Sequence, residues 1–203
     1  MSQKRDFDAA AATWDENPFR VQLTRGVAEA LTREIPLRPD MRLMDYGCGT
    51  GLISLALQPL VGSVVAADSS DGMLQALTGK LATAHITNVA PVKLDLEREE
   101  WTGEPFDALV SIMVLHHIQG VELVVRRMAD ALVEGGWLAF ADLDAGSEDF
   151  HEDNTGIMHF GFGIDQRQEL LQQAWLREIR TVEALRIPRN GKEFPVLLTV
   201  GRK

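Results

Sequence analysis

Residues Arg42–Leu57 read RLMDYGCGTGLISLAL: an apolar run, an acid, three alternate glycines and the opening of a helix. Asp45 stands two positions ahead of Gly47, and Gly49 and Gly51 follow. A tight strand-to-helix turn needs residues without bulky side chains, and glycines there let a ligand approach the amides at the helix start. Such turns commonly receive phosphates, which an ionised Asp45 would repel. The spacing is G-x-G-x-G, whereas a dinucleotide fingerprint would place glycine where Leu52 stands. Leu52 and Asp45 together disfavour a pyridine dinucleotide and the oxidoreductase chemistry that goes with it.

Outward from this stretch the chain alternates short apolar runs with helical periodicity. RLMDY (42–46), SVVAAD (63–68), VAPVKLD (89–95), FDALVSIMV (106–114) and GWLAFADL (136–143) read as strands. GLISLALQPL (51–60), DGMLQALTGKLA (71–82) and VELVVRRMADALVE (121–134) read as the intervening helices. ALVSIMV is apolar without alternation, as expected of a strand covered on both faces in a parallel sheet. A doubly wound α/β sheet follows. Near the end, DQRQELLQQAWL reads as a helix, and two further runs flank the Asn190-Gly191 turn signal of a hairpin, giving an antiparallel closing strand. The whole chain is expected to be one domain: an N-terminal helical arm or lid over 1–39, a binding core over 40–143, a substrate-side insertion over 144–163 and a C-terminal helix with hairpin over 164–203.

Three acids fall in phase with these strands. Asp45 ends the first, where it can accept from an ammonium group; Asp68 ends the second, where a carboxylate can take both hydroxyls of a ribose. Asp95 ends the third and can accept from an exocyclic amine such as that of adenine. All three would face one rim, outside the carboxyl ends of the strands. The ligand so described has an amino-acid end, a ribose, an amino-bearing base and no phosphate, which S-adenosylmethionine with its sulfonium cation fits.

Composition agrees. The formal net charge is −10, which tells against nucleic acid, whose binding draws on clustered Lys and Arg. The Arg- and Lys-richer tail (Arg177, Arg180, Arg186, Arg189, Lys192) reads as a solvated strand face. No run of about 18 apolar residues suggests a membrane span, and no signal peptide is evident, so a cytoplasmic location is expected. The single cysteine, Cys48, has no partner for a disulfide or a zinc site, and no metal is expected. Nothing in the sequence speaks to oligomeric state.

At LMDYGCGTG, VVAADSSDGML, LDLE, FDALVSIMVLHHI and LVEGGWLAFAD the sequence resembles the class I S-adenosylmethionine-dependent methyltransferases. The likeness is to the "type 11" group, which includes small-molecule and quinone-biosynthesis enzymes. It implies a Rossmann-like seven-stranded sheet of order 3-2-1-4-5-7-6 with one antiparallel strand, and S-adenosylhomocysteine as product. It further implies that Asp45, Gly47, Cys48, Gly49 and Gly51 border the methionine moiety and that Asp68 meets the ribose. Ser69 and Met73 would lie along the ribose or adenine, Asp95 and Leu96 would hold the adenine, and Ser111, Ile112 and Met113 would pass beneath the methionine end. Cys48 also reads as a nucleophile, but a helix start filled by cofactor leaves it a packing role.

Methyl transfer from a sulfonium is an in-line displacement, in which alignment and desolvation supply much of the acceleration. The implied acceptor is a small molecule. His116 and His117, read at the end of the fourth strand, either serve as general base or shape the following loop; as strand neighbours they would point to opposite sides. His159, with Phe160 and Phe162, either builds the acceptor pocket or packs on the core. Trp14 and Arg20 belong to the arm, where Trp14 either stacks on substrate or anchors the segment. A protein that keeps the cofactor pocket without catalysing transfer is the alternative.

Overall fold

The apolar run ahead of the glycines forms strand β1 (Arg42–Tyr46) of a seven-stranded sheet, in a computed structural model that describes residues 6–203. The other strands are β2 (Ser63–Asp68), β3 (Val89–Lys93), β4 (Phe106–Ile112), β5 (Leu132–Leu143), β6 (Arg177–Arg189) and β7 (Lys192–Arg202). Their order is β3-β2-β1-β4-β5-β7-β6, parallel from β3 through β5, with β7 antiparallel to both neighbours. This is the doubly wound sheet and strand order expected. Helices are α1 (Phe7–Ala10), α2 (Pro18–Glu34), α3 (Leu52–Leu57), α4 (Asp71–Ala84), α5 (Val121–Asp130) and α6 (Ile164–Gln173). None is long and apolar enough to cross a membrane.

Continuous apolar strands arise because both faces are covered. Leu43 of β1 packs into one core with Val27 and Leu31 of α2, Leu57 of α3 and Leu77 of α4. Its neighbour Met44 packs into the opposite core with Val124 and Met128 of α5 and Leu171 of α6. Each such side chain stabilises the fold by roughly 1.5–3 kcal/mol on burial, and the alternation fixes which strand end meets the glycine turn.

Local signals account for the boundaries. α2 starts at Pro18 because Asn17 caps it, its side chain accepting from the Phe19 amide at 3.1 Å, with Pro18 at the first helical position. The pattern at 121–134 does not stay helical: α5 stops at Asp130, and Leu132–Glu134 open β5, where the pairing with β4 shifts register between Phe106 and Ala108. β3 stops at Lys93, so Asp95 lies two residues beyond the strand it was expected to end. The β6–β7 turn has Asn190 at φ 51° and Gly191 at φ 72°, the two positive values a tight two-residue hairpin requires.

One glycine outside the first motif holds the long β5–α6 connection. Gly161 has φ 87°, and a Cβ there would stand 1.9 Å from the Asp144 carbonyl oxygen. Phe162 just beyond donates its amide to the Leu143 carbonyl at 2.9 Å, so neither strand end nor loop can give way. Gly161→Ala should therefore destabilise the protein by more than about 2 kcal/mol, read as a lowered urea midpoint at unchanged slope.

Candidate functional site

At the carboxyl ends of the parallel strands lies a cavity of about 670 Å³, bordered by the glycine turn, the N-terminal arm, the segment after β4 and the loop after β5. The turn leaves β1 with the amides of Gly47 and Cys48 both donating to the Ala67 carbonyl at 2.8 and 3.0 Å. Gly47, Gly49 and Gly51 all have positive φ. Asp68 ties this turn to the next one: Gly49 N donates to its Oδ2 at 2.8 Å and Ser70 N to its Oδ1 at 2.9 Å. Burial still pushes its carboxyl above the usual range. Each oxygen keeps a lone pair for a ligand.

Asp45 is almost wholly buried and accepts from Ser54 Oγ at 2.6 Å. Burial, only partly countered by that hydrogen bond, raises its carboxyl to about 7, with the nearby Asp68 charge adding to the rise. Cys48 shares the surroundings, and burial together with these two acids pushes its thiol well up, so it stays an inert packing group. Asp95 reaches the cavity from beyond β3, its Oδ1 accepting from Glu97 N at 3.0 Å and its Oδ2 paired with Arg98 at 3.3 Å.

The arm closes one side. Asp8 accepts from Ser70 Oγ at 2.6 Å and Gly72 N at 2.8 Å, and Asp15 accepts from Thr50 Oγ at 2.6 Å while pairing with Lys80. Trp14 anchors this segment: the Arg20 guanidinium lies 3.5 Å from its ring centroid and donates to its carbonyl at 2.6 Å. Phe7 meets Trp14 edge-on at 6.0 Å and His117 at 5.1 Å.

The histidine pair departs from the strand picture. β4 ends at Ile112, Met113 takes φ 59°, and Leu115–His117 form a single 3₁₀ turn. Both imidazoles consequently border the same cavity, with centroids 4.1 Å apart, instead of pointing to opposite sides. His116 Nδ1 lies 2.8 Å from Asp142 Oδ1, and its backbone amide donates to Oδ2 at 3.1 Å. Burial works against the charge of Asp142, but His116, its hydrogen bond and Arg167 hold the carboxyl below the usual range. Arg167 is itself fully buried, donating to the carbonyls of Asp142, Leu143, Phe162 and Leu197 at 2.6–2.9 Å. His117 Nδ1 donates to the Gly156 carbonyl at 2.9 Å, and burial beside His116 drops that ring to about 3, so it stays neutral.

Of the residues anticipated from sequence, Asp45, Gly47, Cys48, Gly49, Asp68, Ser69, Met73, Asp95, Ile112, Met113, His116, His117, Trp14 and Arg20 border the cavity. Gly51 does not; a Cβ there would meet Leu77 at 2.3 Å, so it serves helix–strand packing. Leu96 is buried with its amide donated to Tyr46 Oη at 3.1 Å, and Ser111 is buried on β4. His159 gives Nε2 to the Ile118 carbonyl at 2.9 Å and packs on Phe162, which is fully buried in the core; Phe160 faces solvent. The insertion instead sends Phe150, His151 and Met158 to the cavity. Asp142 and Arg167 went unread, though both left a trace. An acid interrupts the apolar GWLAFADL, and Arg167 shares a helical face with Leu170 and Leu171 at three- and four-residue spacing.

A glycine turn bordered by Asp45, Asp68 and Asp95 at the carboxyl ends of a doubly wound sheet lies where open α/β sheets bind ligands. A family profile described as a methyltransferase domain matches residues 19–189, and the chain belongs to that family. It is 31% identical to an uncharacterised methyltransferase of Schizosaccharomyces pombe over 138 residues, 61% of this chain and 49% of that protein. It is 27% identical over 138 residues to the ubiquinone biosynthesis O-methyltransferase of Nitrobacter winogradskyi, 66% of this chain and 52% of that one. The chain thus spans about half the length of these relatives. Phosphoethanolamine N-methyltransferase 2 of Haemonchus contortus, solved in complex with S-adenosyl-L-methionine, shares the fold with a TM-score of 0.72 at 17% identity, covering 85% of this chain and 51% of that one. By family the chain carries a methyltransferase domain, on the fold that these proteins share.

Asp45 makes a prediction of its own. Its folded value of about 7 lies above the unfolded 3.8, so its contribution favours folding most below pH 4 and is lost as pH rises through 7. Asp45→Asn, which removes the buried charge while keeping the shape, should stabilise the ligand-free protein by on the order of 2 kcal/mol at pH 8 and much less at pH 4. Thermal melts at the two pH values would check this.

Proposed function

We propose that the protein transfers the methyl group of S-adenosylmethionine to a small organic acceptor by in-line displacement. The observation that carries this reading is the cavity's lining: the glycine turn with Asp45, Asp68 and Asp95 from the β1–β3 side meets the imidazoles of His116 and His117 from the segment after β4.

The residues present fit the cofactor. A Cβ at Gly49 would meet only Met73 Sδ at 3.9 Å and Trp14 Nε1 at 4.0 Å, so the turn stands open on its cavity side. Asp45, whose carboxyl burial raises to about 7 with no counter-charge among the described residues, is suited to a cationic amino-acid end. Asp68 and Ser69 suit a ribose; Met73 and Asp95 suit the adenine; Ile112 and Met113 would support the methionine end from below. When bound, S-adenosylmethionine supplies an electrophilic methyl on a sulfonium. The chain's task is to align the acceptor opposite the leaving sulfur and to exclude water, which the arm, latched through Asp8 and Asp15, would do. The net charge of −10 and the acids at the cavity oppose a polyanionic acceptor, so no nucleic-acid partner is proposed. The names of the quinone-biosynthesis relatives add weight to a small-molecule acceptor.

Calorimetry with S-adenosylhomocysteine and NADH, followed by transfer assays on a panel of phenols, thiols, amines and quinone precursors, tests the proposal. Uptake of the first with transfer to at least one acceptor is expected. Uptake with no transfer to any would favour a non-catalytic binding protein, and preference for NADH would overturn the reading.

Two further outcomes are expected. Asp68→Ala should weaken S-adenosylhomocysteine binding by on the order of 10-fold or more, since it removes a charged hydrogen-bond acceptor and releases Gly49. Because the cation needs Asp45 ionised, affinity for S-adenosylmethionine should fall as pH drops below 7, by up to about 10-fold per unit. Calorimetry in buffers of different ionisation enthalpy should record proton release on binding.

A further inference from the structure

Resting on the methyl-transfer reading, we propose that Arg189, at the tip of the β6–β7 hairpin, binds the acceptor through a carboxylate that the acceptor carries, and that Glu152 is the resident carboxylate this group displaces.

Three of the described residues bordering the cavity carry a permanent positive charge: Arg20, Arg98 and Arg189. Two of them belong to the cofactor half. Arg98 pairs with Asp95 at 3.3 Å beyond β3. Arg20 lies over the Trp14 ring, whose Nε1 would stand 4.0 Å from a Cβ at Gly49, beside the glycine turn. Arg189 comes from the other side. It ends β6, and although the basic residues of this tail read as a solvated strand face, its side chain is only 32% exposed and borders the cavity with the loop after β5.

That loop holds the guanidinium in place. Arg189 lies over the Phe150 ring at 5.2 Å, and Phe150 is buried against Phe19 at 6.2 Å and Phe194 at 5.4 Å by ring centroids. The hairpin tip is tied to the same segment: Asn190 Nδ2 donates to the Asp149 carbonyl at 3.2 Å, and Lys192 pairs with the Asp149 carboxylate. A guanidinium resting on an aromatic ring uses none of its N–H donors there, and its planar fork matches a carboxylate.

The occupant in the free protein shows the chemistry. Arg189 Nη2 donates to Glu152 Oε1 at 3.2 Å, so a carboxylate already sits at this edge of the cavity. The two partners are held unequally, since the Glu152 side chain is 81% exposed. An ion pair with one member so far into water contributes little and exchanges readily. The arginine is therefore the fixed partner and the acid the movable one. An entering carboxylate brings the same charge and geometry and releases Glu152 to solvent. Glu152 and Asp153 border the cavity from one loop, which favours a single negative charge over a dianion such as a phosphate. These acids do not themselves make an amine site, because Glu152 is engaged by the arginine and Asp153 Oδ1 by the Thr155 amide at 2.9 Å.

Arg189 is remote from the point of transfer. The His151 ring lies 4.8 Å from Phe150, and His116 lies 5.3 Å beyond His151 by centroids. A carboxylate held at Arg189 thus orients the acceptor without meeting the reacting atoms, which makes Arg189 a binding and specificity residue and not a catalytic one.

The test uses protein saturated with S-adenosylhomocysteine and four probes built on one ring system: 2-naphthoate, 2-naphthamide, 2-naphthylmethylamine and 2-naphthyl phosphate. In calorimetry, naphthoate should bind at least about 10-fold more tightly than the amide, and Arg189→Gln should bring the two within about 3-fold. Arg189→Lys should keep part of the preference. Glu152→Gln should act in the opposite direction, tightening naphthoate by about 2- to 5-fold because it removes the competitor, whereas a merely structural ion pair predicts a loss. S-adenosylhomocysteine affinity equal to wild type shows each variant to be folded; if Arg189→Gln fails that check, Arg189→Lys and Glu152→Gln carry the test. Naphthoate bound no better than the amide, tightest binding by the amine or the phosphate, or uptake of none of the four would overturn the inference. So would a naphthoate preference that survives Arg189→Gln, or weaker naphthoate binding in Glu152→Gln. Failure to bind S-adenosylhomocysteine would instead bring down the proposed function.

Discussion

A carboxylate at the end of a central parallel strand has nowhere to send its charge. Asp45 is walled in by the sheet, the glycine turn and α3, with Ser54 Oγ as its side-chain hydrogen-bond donor, and its neighbours Asp68 and Cys48 do nothing to relieve it. Water is largely excluded, so the charged form is costly until a cation arrives. Much of the local architecture serves to keep this acid where it is: Gly47 turns the chain under Val114, Gly51 lets α3 meet Leu77, and Asp68 pins Gly49. Replacing the acid with a neutral group would relax the free protein and take away the reason for the turn.

Across the sheet, a second buried acid is treated in the opposite way. Asp142 is as deeply buried as Asp45, yet three hydrogen bonds and the Arg167 charge keep its carboxyl below the usual range. The difference is one of supply. Asp142 has all its partners from within the chain and stays ionised, a fixed part of the scaffold. Asp45 has no cationic partner among the described residues and is left responsive to what enters the cavity. Two residues of one type, 97 positions apart in sequence, thereby acquire unlike behaviour from their surroundings alone.

What could be read from the sequence follows from this contrast. β1 and β2 were legible to the residue because apolar runs and an adjacent glycine turn are local signals, as was the hairpin at Asn190-Gly191. The acids of the rim were legible because they recur at the ends of successive apolar segments. The Asp142–His116 pair was not, since 26 positions separate its members and only the parallel pairing of β4 with β5 joins them. The placing of the two histidines was lost for a subtler reason. Met113 adopts a left-handed backbone that no sequence rule assigns to methionine, and this one residue turns LHH from strand into 3₁₀ turn. His159 was a plausible reading of a polar insertion, but tertiary contacts gave its hydrogen bond to Ile118 and sent Phe150 and His151 inward instead.

The strand order explains why the two acids came to lie on opposite sides of one cavity. Successive strands run outward from β1 through β2 to β3, and the chain then returns to place β4 on the other side of β1. The connections leaving β1 and β4 therefore diverge to opposite faces of the sheet and leave a crevice between them, the position where open α/β sheets bind ligands. Everything contributed by β1 to β3 meets that crevice from one side, which is where the glycines and the responsive acids stand. Everything after β4 meets it from the other, where the left-handed Met113 aims the imidazoles inward and Arg167 braces the acid behind them. A site so divided can keep its cofactor half constant while the β4–β5 half, and the long loop that Gly161 fastens to β5, set what is brought against it.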